Sequence, residues 1–191
     1  MDRRNALKGI GLTLGYIVAT PAVISLLQSC SNDPQVNWQP VFFDKEEGFV
    51  MQKLVDLILP KTDKYPGAID LGIPQFIDAY LKEVADKKQQ DQMKKGLSEI
   101  LPIVKSGSDE DYHKLLSKFL KATPEEADSF KKNKKDSLMF NLLTDLRTTI
   151  VWAYKNTEKV GEEILAYDPI PGKYEGCISL KEATGGRAWA L

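Results

Sequence analysis

Histidine and cysteine are nearly absent: His113 stands alone, and Cys30 and Cys177 are the two cysteines in 191 residues. A zinc finger, a haem-attachment motif, a cysteine-ligated iron–sulfur cluster or a site of several histidines needs more ligands than that. An excess of one charge is also missing. Lys and Arg number 26 against 27 Asp and Glu, a net charge of -1, whereas a general nucleic-acid binder needs a basic surplus to displace counterions. No stretch alternates apolar and polar residues with period two, so no strand is expected. Gly9-Ile10-Gly11 follows no strand and has no third glycine in register, which removes a dinucleotide-binding reading. What remains is 42% hydrophobic and 28% charged, a composition suited to one globular domain with an appendage and too rich in Leu, Ile, Val and Phe for general disorder.

Residues 1–30 read as an address label. Arg3-Arg4 stand just ahead of an uncharged, moderately apolar stretch from Gly9 to Gln28, broken by Gly9, Gly11, Gly15 and Pro21. This is the order of a signal peptide, and the arginine pair makes it similar to a twin-arginine leader. Leu27-Gln28-Ser29-Cys30 resembles a lipobox with Gln28 as a departure, so that Cys30 becomes the lipidated first residue after cleavage; a membrane-spanning anchor is the alternative. Cleavage there removes three basic residues and one acidic residue and leaves a mildly acidic chain. Residues 31–43, polar and proline-bounded, are expected to be a tether.

Helical periodicity fills 44–166. Asp44 and Glu47 form a capping-box pattern ahead of Val50, Leu54, Leu57 and Ile58. Gly72-Ile73-Pro74 opens a second segment whose stripe is Phe76, Ile77, Tyr80, Leu81 and Val84. A third, weakly patterned and interrupted by Pro102, covers 89–104. Ser108-Asp109-Glu110-Asp111 starts a fourth, with Tyr112, Leu115, Leu116, Phe119 and Leu120 on one face, and Thr123-Pro124-Glu125-Glu126 caps a short fifth. The longest, 136–156, carries Leu138, Met139, Leu142, Leu143, Leu146, Ile150, Val151 and Tyr154, a stripe broad enough for the centre of a bundle. The expected fold is all-α: an irregular bundle of about five to seven helices, followed by an extended, non-periodic tail over 167–191. That tail is rich in turn formers, yet it holds Tyr167, Ile170, Tyr174, Ile178, Leu180 and Trp189. Disordered tails are poor in such residues, so it is expected to pack on its own domain or on a partner.

Catalytic patterns are scarce. His113 has no nucleophile and orienting acid beside it in sequence and reads as solvent-facing or capping. The pairs Glu46-Glu47, Glu125-Glu126 and Glu162-Glu163 suit helical first turns and wet faces better than a glycosidase. Lys131-Lys132-Asn133-Lys134-Lys135 reads as a solvated junction between helices. The segment from Leu59 to Pro74, with Pro60-Lys61-Thr62-Asp63, Pro66-Gly67-Ala68 and Asp70, is longer and more specific than a connector requires, and loops on rigid scaffolds are where binding residues concentrate.

These residues carry a resemblance. Pro60-Lys61-Thr62-Asp63, Pro66-Gly67-Ala68 and Gly72-Ile73-Pro74-Gln75-Phe76-Ile77-Asp78, the tail motifs Tyr167-Asp168-Pro169-Ile170-Pro171-Gly172, Tyr174, Gly176-Cys177 and Gly186-Arg187-Ala188-Trp189, and the leader together resemble the gluconate 2-dehydrogenase subunit 3 family. The resemblance implies a small, non-catalytic partner that holds no cofactor or metal itself. It implies a large flavoprotein subunit of the glucose–methanol–choline type that carries FAD and oxidises a sugar or sugar acid in the periplasm, often with a cytochrome c subunit. It further implies a leader that exports the folded flavoprotein alongside this chain and anchors it at the membrane. The partner interface is then expected on the two non-periodic segments, at Thr62, Asp63, Pro66, Gly67, Asp70, Tyr174, Cys177, Arg187 and Trp189, because interface hot spots favour Trp, Tyr and Arg. Cys177, left unpaired once Cys30 is lipidated, is either buried or joined to another chain. The competing class is a stand-alone envelope lipoprotein acting as a binding module.

Overall fold

The computed structural model describes residues 36–190, apart from 37, 105–106, 169–171 and 173–175. Arg3, Arg4, Cys30 and Tyr174 lie outside the described residues. Six α-helices form the body: α1 Lys45–Ile58, α2 Ile73–Glu83, α3 Lys87–Val104, α4 Asp109–Leu120, α5 Pro124–Phe130 and α6 Lys134–Lys155. A π-helical turn, Lys159–Ile164, and a short helix α7, Leu180–Thr184, complete the order. Among the described residues there is no sheet, only a parallel bridge between Ala166 and Trp189. The fold is all-α, as the periodicity predicts.

Local chemistry sets the helix starts. The Asp44 carboxylate accepts the Glu47 N–H at 2.8 Å while the Glu47 carboxylate accepts the Asp44 N–H at 2.9 Å, so two of the orphan donors at the start of α1 are satisfied reciprocally. Thr123 and Glu126 do the same for α5. Gly72, at φ 69°, makes the left-handed turn into α2, and Pro74 occupies the first turn, where its missing N–H costs nothing. Asn133 caps α6 by accepting from Lys135 and Asp136.

Helix α6 is the axis. It packs against α1 to α5 and the π-turn, and buries Met139, Leu142, Leu143, Leu146, Ile150 and Ala153. Opposite it, α3 buries Leu97 and Ile100 completely; full burial of such side chains contributes roughly 1.5–3 kcal/mol each. The two helices approach at Gly96, where an added Cβ would stand 2.4 Å from Leu142 Cδ1, so glycine is what the spacing allows.

Five features differ from the expectations. Pro102 does not interrupt α3, which runs to Val104. It falls in the last turn, so the one bond lost with its missing N–H leaves the preceding turns intact, and buried Ile100 and Val104 hold that turn on the core. On α2 the buried residues are Ile73, Pro74, Ile77, Asp78 and Leu81, leaving Phe76 39% and Val84 68% exposed. Val151 on α6 is likewise exposed. The tail is not wholly extended, since Ser179 and Glu182 form a capping box that starts α7.

The fifth difference concerns the expected boundary at Asp44, which lies inside the packed body. Phe43 is in the core, with Trp38 and Phe42 packed against it. The cause is Asp78, buried on α2, whose carboxylate accepts the N–H groups of Val41 (2.7 Å), Phe42 (3.0 Å) and Phe43 (3.0 Å). The Lys94 ammonium joins the same knot, donating to the Phe42 carbonyl at 3.2 Å and to the Glu47 carboxylate. A buried carboxylate is tolerated when several donors answer it.

Candidate partner-facing surfaces

The loop at residues 59–72 is built from its own hydrogen bonds. The Thr62 N–H donates to the Tyr65 carbonyl at 3.0 Å and the Tyr65 N–H to the Thr62 hydroxyl at 3.0 Å. Ala68, fully buried, donates to the Leu59 carbonyl at 2.9 Å. The Asp70 carboxylate accepts the Gly67 N–H at 2.9 Å and meets Lys61 Nζ at 3.3 Å. The Gly67 N–H holds the Asp70 carboxyl below its ordinary pKa; slight burial works the other way, and Lys61 adds to the lowering. Across from the loop, the Tyr154 hydroxyl of α6 donates to the Pro66 carbonyl at 2.8 Å. Gly67 is buried, and a Cβ there would stand 2.5 Å from the Lys61 backbone nitrogen. What the loop offers outward is therefore Thr62, Asp63, Lys64, Tyr65 and Asp70, while Pro66 and Gly67 serve its internal packing.

The C-terminal segment folds back onto the end of the bundle. Ala166 donates to the Ala188 carbonyl at 2.7 Å, and Ala190 to the Ala166 carbonyl at 2.8 Å. The Arg187 guanidinium reaches the carbonyls of Leu165 (3.0 Å), Glu163 (3.4 Å) and Thr184 (3.3 Å). It thus satisfies acceptors that the π-turn and α7 leave open at their ends. Trp189 remains 49% and Tyr167 56% exposed, as are Ile178 and Leu180. Cys177 is a free, exposed thiol, so a place in this chain's own core is excluded.

A third surface was not singled out by the sequence. On α2 and α6, Phe76 stacks on Tyr80 with ring centroids 6.1 Å apart and lies 6.0 Å from the Trp152 ring; Trp152 is 52% exposed. These rings and Thr148 line a depression of about 280 Å³. It shares Tyr80, Thr148 and Thr149 with a groove of about 490 Å³ along α2, α3 and α6, whose polar walls include Gln89, Gln92, Asn141 and Asp145. Loss of surrounding water raises the Asp145 pKa, and the Asp145 carboxylate has no hydrogen bond or ion pair among the described residues. The signal available in the sequence was a surplus: α2 and α6 carry more large apolar residues than one buried face can hold.

His113 is exposed on α4, and Lys131 to Lys135 are exposed where α5 meets α6. Among the described residues no group of three or more His, Cys, Asp and Glu side chains stands where it could hold a metal ion, and no helix is long and apolar enough to cross a membrane.

Comparison with curated proteins and with solved structures finds no match. Residues 45–172 match the family described as gluconate 2-dehydrogenase subunit 3, a span from the first residue of α1 through the bundle to the start of the C-terminal segment. The match takes in the self-bonded loop, α2 and α6, and covers most of the chain, so this protein belongs to the gluconate 2-dehydrogenase subunit 3 family.

Proposed function

We propose that this chain is a non-catalytic accessory subunit that stabilises, co-exports and anchors a periplasmic, FAD-dependent dehydrogenase of the glucose–methanol–choline type acting on a sugar or on gluconate. The match of residues 45–172 to a family of dehydrogenase subunits carries this reading. In it, the flavin belongs to the large subunit, a cytochrome c subunit takes part in the assembly, and Arg3-Arg4 direct export while Cys30 carries the lipid. Thr62, Asp63, Asp70, Tyr174, Cys177, Arg187 and Trp189, from the two irregular segments, meet the large subunit. Exposed aromatic side chains at Tyr65, Tyr167 and Trp189 support an interface there, since large exposed apolar groups on a rigid body are unfavourable unless covered.

The test is co-expression with the dehydrogenase subunit. The chain alone is expected to be colourless and inactive on sugars, and to co-purify with a flavin spectrum when the partner is present. Replacing Arg3 and Arg4 together by lysine should retain both proteins in the cytoplasm, because the receptor reads the guanidinium pair rather than positive charge alone. Flavin bound to this chain alone, or normal export of the dehydrogenase beside the double-lysine variant, would overturn the reading.

A further inference from the structure

We infer that the groove along α2, α3 and α6, with the Phe76–Trp152 rings at its end, is the central seat of the dehydrogenase subunit, and that it receives a partner segment carrying a basic side chain between apolar or aromatic ones. This deepens the accessory-subunit reading and rests on it.

A carboxylate without a cation in the groove lining points to the occupant. Some acids on the body have cations against them, as Asp70 has Lys61, Glu47 has Lys94, Asp136 has Lys118 and Glu99 has Lys135, while Asp78 is answered by backbone N–H groups. Asp145 has none, although the groove walls withdraw part of its water. A carboxylate in that setting gains most from a guanidinium or ammonium brought in from outside. The walls beside it are amides and hydroxyls, Gln89, Gln92, Asn141 and Thr148, which supply both donors and acceptors to a peptide backbone laid along the groove. Tyr80 lines both depressions, so the groove that holds Asp145 also offers an aromatic side chain, a combination that suits an arginine.

The rings supply the apolar part. Phe76 and Trp152 come from two different helices with ring centroids 6.0 Å apart, so a paired aromatic surface stands on the folded body before anything binds. Trp is the residue most enriched among hot spots. The groove alone is smaller than the roughly 800 Å² per side of a standard interface. It forms the centre of the contact, with the outward side chains of the 59–72 loop, which leads directly into α2, along its edge.

The full chain is co-expressed with the dehydrogenase subunit, and the dissociation constant of the complex is measured for wild type, Trp152→Ala, Phe76→Ala, Asp145→Asn and Asp145→Lys. Trp152→Ala is expected to weaken binding by about tenfold or more. Asp145→Lys should weaken it more than Asp145→Asn, and Asp145→Asn should flatten the salt dependence seen with wild type. Melting temperatures should stay close to wild type, because the altered side chains face solvent. A wild-type complex whose affinity is unchanged by Trp152→Ala and Asp145→Lys would remove the groove from the interface and leave the accessory reading standing. Failure of the wild-type chain to bind the dehydrogenase at all would overturn the accessory reading and this inference together. Self-association of the chain alone that disappears in Trp152→Ala would assign the groove to a second copy and overturn the inference.

Discussion

The loop at 59–72 and the segment at 166–190 are irregular stretches of this protein that are held by different means. The loop's polar backbone is satisfied along its length: Ala68 bonds Leu59, Thr62 bonds Tyr65, Gly67 bonds Asp70, and Tyr154 reaches across from α6 to Pro66. Its middle is buried, with Ala68 inside the core. The C-terminal segment is fastened at its base, by the Ala166 bridge and the Arg187 guanidinium, and Tyr167, Cys177, Ile178 and Leu180 are exposed above that clasp. Lack of periodicity therefore does not imply lack of order. The loop is part of the folded body, whereas the C-terminal segment is an attachment to it.

The largest expected effect separates two glycines. Gly67→Ala puts a methyl group 2.5 Å from the Lys61 backbone nitrogen, while Gly172→Ala meets nothing within 4 Å. Gly67→Ala should lower unfolding stability by about 1–3 kcal/mol, as overpacking against unyielding backbone does. Gly172→Ala should stay within about 0.5 kcal/mol. Urea midpoints of the two variants measure the contrast, and equal midpoints would erase it. Next comes Tyr154→Phe, which leaves the half-buried Pro66 carbonyl without its donor; a loss of about 1 kcal/mol is expected on the same assay.

A smaller global effect is expected at the other end. Arg187→Ala, or removal of residues 186–191, should leave helical circular dichroism nearly intact and cost the bundle less than about 1 kcal/mol, since a clasp at the periphery opens locally. Protease cleavage between 167 and 186 should accelerate, and association with the dehydrogenase should weaken. Cooperative unfolding of the truncated chain would place the segment in the core and dissolve the distinction.

The smallest effect serves as an internal control within the body. The Tyr112 hydroxyl is buried without a hydrogen-bond partner among the described residues, and burial, then Asp109, pushes its pKa up from 10.0 to about 12. Because the folded value is raised, the neutral phenol's contribution to stability is complete below pH 10.0 and is lost as pH climbs towards about 12. Tyr112→Phe should be neutral or slightly stabilising at pH 7, because an unanswered hydroxyl is removed, and should blunt alkaline destabilisation in thermal scans at pH 9 to 12.

Helix starts were the most legible part of the sequence, because a capping box is written within four residues: Asp44 with Glu47, and Thr123 with Glu126, open helices where expected. Ser179 with Glu182 carries the same signal inside the tail, and there the surrounding turn formers outweighed it. The buried face of α2 was less legible. Phe76, Tyr80 and Val84 form one i, i+4 row, and Ile73, Ile77 and Leu81 form the next, so apolar spacing cannot say which row turns inward. The choice goes with Asp78, whose answering donors are backbone groups thirty-five to thirty-seven residues away; backbone N–H groups leave no mark in a sequence. The irregular segments were legible as places of interest but not as structures, since their order rests on bonds such as Tyr154 to Pro66, across 88 positions. The α2–α6 groove was illegible for a similar reason, as its walls come together only when three helices pack.

The three bonds that Asp78 receives also have a mechanical consequence. Val41, Phe42 and Phe43 donate to one carboxylate, so tension arriving along the chain from the N-terminal side is shared among three links before it can reach the first turn of α1. The arrangement works like the strain relief on a cable. A tug is diverted sideways into α2, and the hydrophobic contacts around Met51 and Leu54 stay unloaded until the clamp slips.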